Sequence, residues 1–467
     1  MNRFVVREHA ASILVAALSS TFGVALLLVT DDLSTYLNST NAGNHAAVQA
    51  VLRFVAFVFI SIALYTAAVV TSNTFATIIA GRTRTIALLR LIGATARSQR
   101  RAVAQEGLVV GVLGAVIGLA VGVVVNVLVL AISMATGFLP ALHFTYFSFV
   151  EVLPAVAVVL TTWLASWVGS RRVLVVSPIQ ATGAAEERTV VVVAGRRARN
   201  VWAAILFVFG GGLLVVGVGV GVGQSDPKGL LISVVGGMMS FTGVVLGADA
   251  VMPRALQLIG RTFGRSAPAR LAAQNAVRYP ERSSRTTIGI VIGVTLVTMF
   301  SVAVQTFLVL AQAIRSSDPE SYQSSAQILT VLAVIFSVIS GFSALLAAIG
   351  MVNNLSLSVL QRIRELGLLR ALGFTGRQIR TMIVAESAQL TITAVVVGLL
   401  LGTFYGWAGA EAMIGGARGA PGIIWPALPP ALFAVIVVVA ALLTWLASVA
   451  PTRRATRVTP VDALAVE

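Results

Sequence analysis

Ten stretches of about 20 or more residues with almost no charge recur along this chain, at positions 10–30, 51–79, 107–134, 152–170, 201–222, 230–251, 286–314, 328–355, 389–409 and 431–449. At 1.5 Å rise per residue, a helix of that length crosses a hydrocarbon core of about 30 Å. A soluble core is no alternative home for them. Of the residues 57% are hydrophobic and 11% charged, whereas soluble domains carry about 25% charged residues. In lipid the backbone must satisfy its own hydrogen bonds, which leaves helices for runs this long. The predicted fold is therefore an all-α integral membrane protein with ten transmembrane helices. A cleaved signal peptide is disfavoured for the first run, because it exceeds the 7–15 residues of such a segment's apolar part.

The arginines and lysines orient these spans. Of 33, 29 lie at positions 1–9, 80–106, 171–200, 252–285, 361–380 and 450–467, and the other four are Arg53, Lys228, Arg315 and Arg418. Basic segments therefore alternate with pairs of spans along the whole chain, as the positive-inside rule requires, and place both termini in the cytoplasm of a plasma or inner membrane. The same distribution accounts for the net charge of +16. It orients the protein and meets anionic headgroups of the lipid bilayer, so no nucleic-acid partner is implied.

The chain repeats itself. A shift of 280 superposes Arg82 on Arg362, Arg84 on Arg364, Leu88, Leu89 and Arg90 on Leu368, Leu369 and Arg370, Gly93 on Gly373, Thr95 on Thr375, Arg97 on Arg377, Arg100 on Arg380 and Glu106 on Glu386. Further on, Thr162 to Ser166 recurs as Thr444 to Ser448, and Ser177-Pro178 as Thr459-Pro460, with the offset grown to 282. A match so dense at one offset marks an internal duplication. Each unit reads as four spans with a basic amphipathic segment between its second and third. The layout is 4+2+4, a tandem repeat: residues 1–185 form the first unit, 186–255 a linker with a helical hairpin, and 256–467 the second unit. The hairpin has no counterpart in the repeat.

Several chemistries lack their residues. There is no cysteine, which removes disulfides and thiolate chemistry. The glycine run from Gly210 to Gly223 is not followed by the Gly-Lys-Ser/Thr of a phosphate loop; close helix packing explains it better. His9, His45 and His143 are far apart, and no catalytic, cofactor or metal site is expected.

The run from Arg362 to Phe374, containing Arg364, Glu365, Leu366, Leu368, Leu369 and Arg370, resembles the signature of FtsX-like (MacB-like) permeases, the membrane subunits of one class of ATP-binding-cassette transporter. So does Arg453-Arg454-Ala455 through Leu464, and the first unit carries the pattern in weaker form. The resemblance implies that the segment between second and third spans is a coupling helix docked on a separate cytoplasmic ATPase, which would bind ATP and magnesium. Carried over, the coupling residues are Arg362, Arg364, Glu365, Leu366, Leu368, Leu369, Arg370 and Phe374 in the second copy, and Arg82, Arg84, Leu88, Leu89 and Arg90 in the first. Thr85 stands where the second copy has Glu365, so the two contacts need not be equal. Two units on one chain imply two ATPase subunits per permease chain.

The residues themselves leave two readings of that segment. Ile363, Leu366, Arg370 and Phe374 recur at i, i+3, i+7 and i+11, a stripe that suits either a protein groove or a bilayer surface. Many relatives carry a large extracytoplasmic domain, whereas the corresponding loops here, 31–50 and 316–327, are short. The substrate is then met by the helices themselves. By resemblance its path runs along spans one, two, seven and eight, with Ala68 and Gly341 as candidate positions. The expected function is export or extraction of an amphipathic or hydrophobic substrate such as a lipid, peptide or drug, driven by the partner's ATP hydrolysis. ATP-driven signalling or wall remodelling, and secondary transport, are the alternatives.

Overall fold

The computed structural model describes residues 10–39, 46–81, 83–135, 147–170, 197–224, 228–262, 274, 280–317, 373–417, 419–431, 433–436, 438, 441 and 442. All regular elements among them are helices, and the chain divides into two compact units, Met1–Ala185 and Glu186–Glu467.

The first unit contains α1 (Ala10–Ser39), α2 (Ala46–Gly81), α3 (Thr83–Leu91), α4 (Ala96–Ala135) and α5 (Val152–Gly169). Helix α1 packs on α4, α4 on α5, α5 on α2 and α2 on α1. Glycines on α4 decide how close these helices come. A Cβ at Gly114 would lie 2.9 Å from the Ala17 nitrogen, and one at Gly118 2.8 Å from the Thr21 nitrogen, so with Gly122 these residues form a small-residue ridge against α1. Where lipid tails are as apolar as side chains, such backbone approach supplies the van der Waals contact that holds helices together. Polar bonds cross the same seam: Ser20 Oγ donates to the Ala115 carbonyl at 3.0 Å, and Asn126 Nδ2 to Asp32 Oδ2 at 2.9 Å.

The second unit contains α6 (Arg197–Gln224), α7 (Lys228–Leu246), α8 (Ala248–Gly260), α9 (Pro280–Ser317) and α10 (Gly376–Ile414). Helix α10 uses the same device on α9. A Cβ at Gly398 would meet the Val294 side chain at 2.7 Å, and one at Gly402 the Thr295 carbonyl oxygen at 2.6 Å; Gly406 continues the ridge against Met299 and Ala303. The hairpin α6–α7 closes on itself through Gly217, whose Cβ would fall 2.7 Å from the Gly229 oxygen, and through Gly236, 2.7 Å from the Gly210 oxygen. Packing thus accounts for Gly210, Gly217 and Gly221 of the glycine run, whereas a Cβ at Gly211, Gly212, Gly219 or Gly223 would meet nothing within 4 Å. The hairpin also belongs to this unit: Ser240 Oγ and the Tyr405 hydroxyl of α10 are 3.0 Å apart, Phe241 meets Tyr405 edge-on, and a Cβ at Gly221 would lie 2.7 Å from the Ala412 Cα.

Seven helices among the described residues are long and apolar enough to cross a membrane, covering the expected spans one, three to seven and nine. Helix α2 runs through the expected second span. The eighth, 328–355, lies outside the described residues, as does most of the tenth. Two boundaries differ from expectation. The sixth span stops at Leu246, not 251; the chain turns at Gly247 and restarts as α8, with Asp249 in its first turn 2.9 Å from Arg199 Nη2. Ala248, Ala250 and Val251 look like more of an apolar run, yet they begin an amphipathic helix whose Met252 and Leu256 are fully buried. Helices α4 and α10 start 11 and 13 residues ahead of their apolar runs, because charged first turns are invisible to hydropathy but are ordinary helix formers.

Candidate functional site

The amphipathic segment is a helix-turn-helix, and its first copy is described almost throughout. Helix α3 ends at Leu91, and the Ala94 nitrogen donates to the Leu89 carbonyl at 2.9 Å while the Gly93 nitrogen donates to that of Arg90 at 3.2 Å. These are the paired bonds of a Schellman cap, which needs a left-handed residue, and Gly93 supplies it with φ +102°. Thr95 then starts α4: its Oγ1 accepts from the Ser98 nitrogen at 3.1 Å. The second copy, described from Gly373 on, has the same positive-φ glycine and threonine cap. Gly373 has φ +93°, Thr375 Oγ1 accepts from the Gln378 nitrogen at 3.3 Å, and Gln378 Oε1 accepts from the Thr375 nitrogen at 2.9 Å, a full capping box.

Helix α3 has two apolar faces. Ile86 and Ala87 are buried with Phe75, Ile79, Val103 and Val110 of α2 and α4. Leu88, Leu91 and Ile92 point away from that cluster, 49%, 55% and 82% exposed. An apolar patch outside the protein's own core marks a surface that something else covers. Of the residues named from sequence, Leu88 lies on that patch, Leu89 and Arg90 are partly buried, and Arg84 is within α3. Arg82 lies outside the described residues, as do Arg362, Arg364, Glu365, Leu366, Leu368, Leu369, Arg370 and Gly341. Phe374 packs on Ile379, Met382 and Ile383 of its own unit. The i, i+3 stripe proposed for the second copy corresponds at Leu366 to Ile86, which faces inward. Ala68 is partly buried on α2.

Arg100, one turn into α4, fastens this element to the end of α5. Its guanidinium lies 4.0 Å from the Trp167 ring centroid, and it donates to the Trp167 carbonyl and to Ser170 Oγ, each at 3.3 Å. A cation at a helix C-terminus is favourable, and stacking on indole adds to it. Arg100→Ala is expected to cost about 1 kcal/mol, with Arg100→Lys intermediate because the planar fork is lost but the charge kept; differential scanning fluorimetry of the purified variants measures it. In the second unit, Gln389 Nε2 donates to the Leu256 carbonyl at 2.7 Å and ties α10 to α8.

Sequence reasoning passed over Ile92 and Glu411, and noted Arg100 only as a repeat position matching Arg380. Glu411 is fully buried one turn beyond Trp407, just past the ninth apolar run; an acid in that position was the available signal. Among the described residues no group of three or more His, Cys, Asp or Glu side chains is placed to hold a metal ion.

Comparison with known proteins bears on the same segments. A family model described as FtsX-like permease C-terminal matches residues 57–178 and again 337–460, stretches that begin 280 positions apart. The chain is 31% identical over 143 residues to YknZ of Bacillus subtilis, described as an uncharacterized ABC transporter permease, covering 30% of this chain and 33% of the relative. It is 29% identical over 129 residues to the ABC transporter permease YtrF of the same organism, covering 26% and 30%. An uncharacterized ABC transporter permease of Methanocaldococcus jannaschii is 32% identical over 77 residues, covering 16% and 19%. The chain thus spans about a third or less of the length of the curated relatives it matches.

Proposed function

Because this chain belongs to the FtsX-like permease family, we propose that it is the membrane subunit of an ATP-driven complex that couples a cytoplasmic ATPase to export or extraction of an amphipathic or hydrophobic substrate. The observation that carries this reading is the doubled element. In each half a positive-φ glycine and a threonine cap lead directly into a helix long enough to cross the membrane, and the first copy holds an exposed apolar patch beside the turn.

The mechanics follow from those helices. Helix α10 has 39 residues, about 58 Å at 1.5 Å per residue, against a hydrocarbon core of about 30 Å. A push at the turn is therefore transmitted along a continuous rod that reaches the far side of the bilayer. The glycine ridge makes α9 follow α10, as it makes α1 follow α4, since backbone in contact with backbone leaves no slack side chain to absorb the motion. The substrates in keeping with this chain are those that partition into the bilayer. Exposed faces of α4, α5 and α6 are lined by Val, Leu, Ile and Phe, as at Val116, Leu128, Leu153, Val208 and Phe209.

Two copies of the element on one chain correspond to one permease chain per ATPase pair. Native mass spectrometry of the complex assembled with its ATPase is expected to give one permease to two ATPase subunits. Two permease chains per pair would overturn the stoichiometry, and absence of any complex would overturn the coupling.

A further inference from the structure

At the end of α10 opposite the Gly373 turn, residues 415–417 and 419–429 form a loop that is fastened on one side and bare on the other. Trp407 Nε1 donates to the Ile424 carbonyl at 2.7 Å, and the Ile424 nitrogen donates to Glu411 Oε1 at 2.8 Å. Both backbone groups of one loop residue are thus held by side chains one turn apart on α10. The Ala427 nitrogen donates to Thr306 Oγ1 of α9 at 3.3 Å, and Ser317 Oγ of α9 donates to the Gly419 carbonyl. Gly419 and Gly422 take positive φ of 82° and 83°, and Pro421, Pro426, Pro429 and Pro430 remove backbone freedom. On either side of Ile424 the chain turns its side chains outward: Ile423 is 63% and Trp425 91% exposed.

We propose that Ile423 and Trp425 form a rigid wedge that seats in the lipid surface on this side of the membrane. A large indole held almost fully outside the protein by a pinned backbone has its conformational cost already met before binding, the hallmark of an anchor. The occupant follows from what adjoins it. The loop leaves a membrane-crossing helix, and the apolar surface continues through Leu428 to Phe433 and Val435, all exposed, on the helical residues that follow. Residues 415–431 contain no acid and a single charge, Arg418, which suits anionic headgroups. Tryptophan is the side chain that partitions to the headgroup boundary, apolar body toward the acyl chains and N–H toward water. The wedge fixes the depth of the α9–α10 end, so that displacement applied at the turn tilts the helices about a held point.

The lack of native cysteine permits a direct test in nanodiscs of phosphatidylcholine with phosphatidylglycerol. A nitroxide attached at Ile423→Cys is expected to be relaxed more by oxygen, which partitions into lipid, than by a water-soluble nickel chelate, as is a control label at Val435→Cys. Adding Trp425→Ala should shift the Ile423 label toward nickel accessibility. Adding Glu411→Ala should sharpen its spectrum as the loop is released, while Glu411→Gln, which keeps an acceptor oxygen, retains the broad spectrum. Should Glu411→Ala fail to fold, Trp407→Phe removes the other half of the pin and is read the same way. Nickel preference at Ile423 in the otherwise native protein would overturn the lipid seat and point to a soluble partner. A spectrum unmoved by release of either pin would overturn the rigid wedge. Neither outcome touches ATPase binding, so failure here is distinguishable from failure of the coupling proposal.

Discussion

Leucine at Gly402 is expected to abolish recovery of monodisperse protein from membranes. A Cβ there would lie 2.6 Å from the Thr295 carbonyl oxygen and 3.0 Å from the Met299 nitrogen. Those are backbone atoms of α9, so relief comes only by separating the helices. Overpacking a core site ordinarily costs about 1–3 kcal/mol. Here the loss extends along the whole ridge, because Gly398 and Gly406 rely on the same separation. Gly409→Leu on the same helix is the control, since nothing lies within 4 Å of its Cβ position; it is expected to behave as the wild type. Gly118→Leu should repeat the Gly402 result for α4 against α1, with backbone at 2.8 Å. Size-exclusion profiles of the three variants from equal membranes provide the comparison, and a normal profile for Gly402→Leu would show that the pair is held otherwise.

The double variant Leu88→Asp, Ile92→Asp is expected to lose the ATPase without losing the fold. Both side chains stand clear of the unit's own core, so carboxylates there remain hydrated in the isolated permease. At a docked surface the same carboxylates are desolvated, and losing anchors of this kind costs about 2 kcal/mol or more each, which is about 30-fold or more in affinity. Ile86→Asp, at a buried position two residues away, should instead prevent folding. For the second copy, Glu365→Lys is expected to uncouple hydrolysis from substrate, at about 2–5 kcal/mol if a buried charge partner is left facing repulsion. Thr85→Lys removes no charge partner and is expected to be milder. Recovery from membranes reads Ile86→Asp, and ATPase co-purification with substrate-stimulated hydrolysis in nanodiscs reads the other three variants. Wild-type levels for both the double variant and Glu365→Lys would leave these segments as membrane-surface helices.

Much of this was legible before any coordinates. Apolar length and the arginine distribution implied membrane helices, and the 280-residue offset implied that whatever Gly93 and Thr95 do, Gly373 and Thr375 do also. That inference is local: a positive φ that favours glycine and a cap that needs a short oxygen-bearing side chain leave their mark in residue type. The family followed from the same stretch, and the family model matches there.

Helix identity and the two turns were determined by the sequence itself, because each depends on what a residue is and on neighbours three or four positions away. Which face of a helix meets what was decided only by the tertiary structure. Tyr405, Ala408 and Ala412 of α10 are buried, two of them against the hairpin, while Val125, Leu128 and Ile132, at the same repeat positions on α4, are exposed. Both sets are apolar, so periodicity makes them look alike. Likewise the pinning of Ile424 uses its N–H and carbonyl, groups that almost every residue carries, so no choice of side chain at position 424 announced it. Partners separated by many positions meet only once the chain has folded, and their selection leaves no periodic trace for a sequence to show.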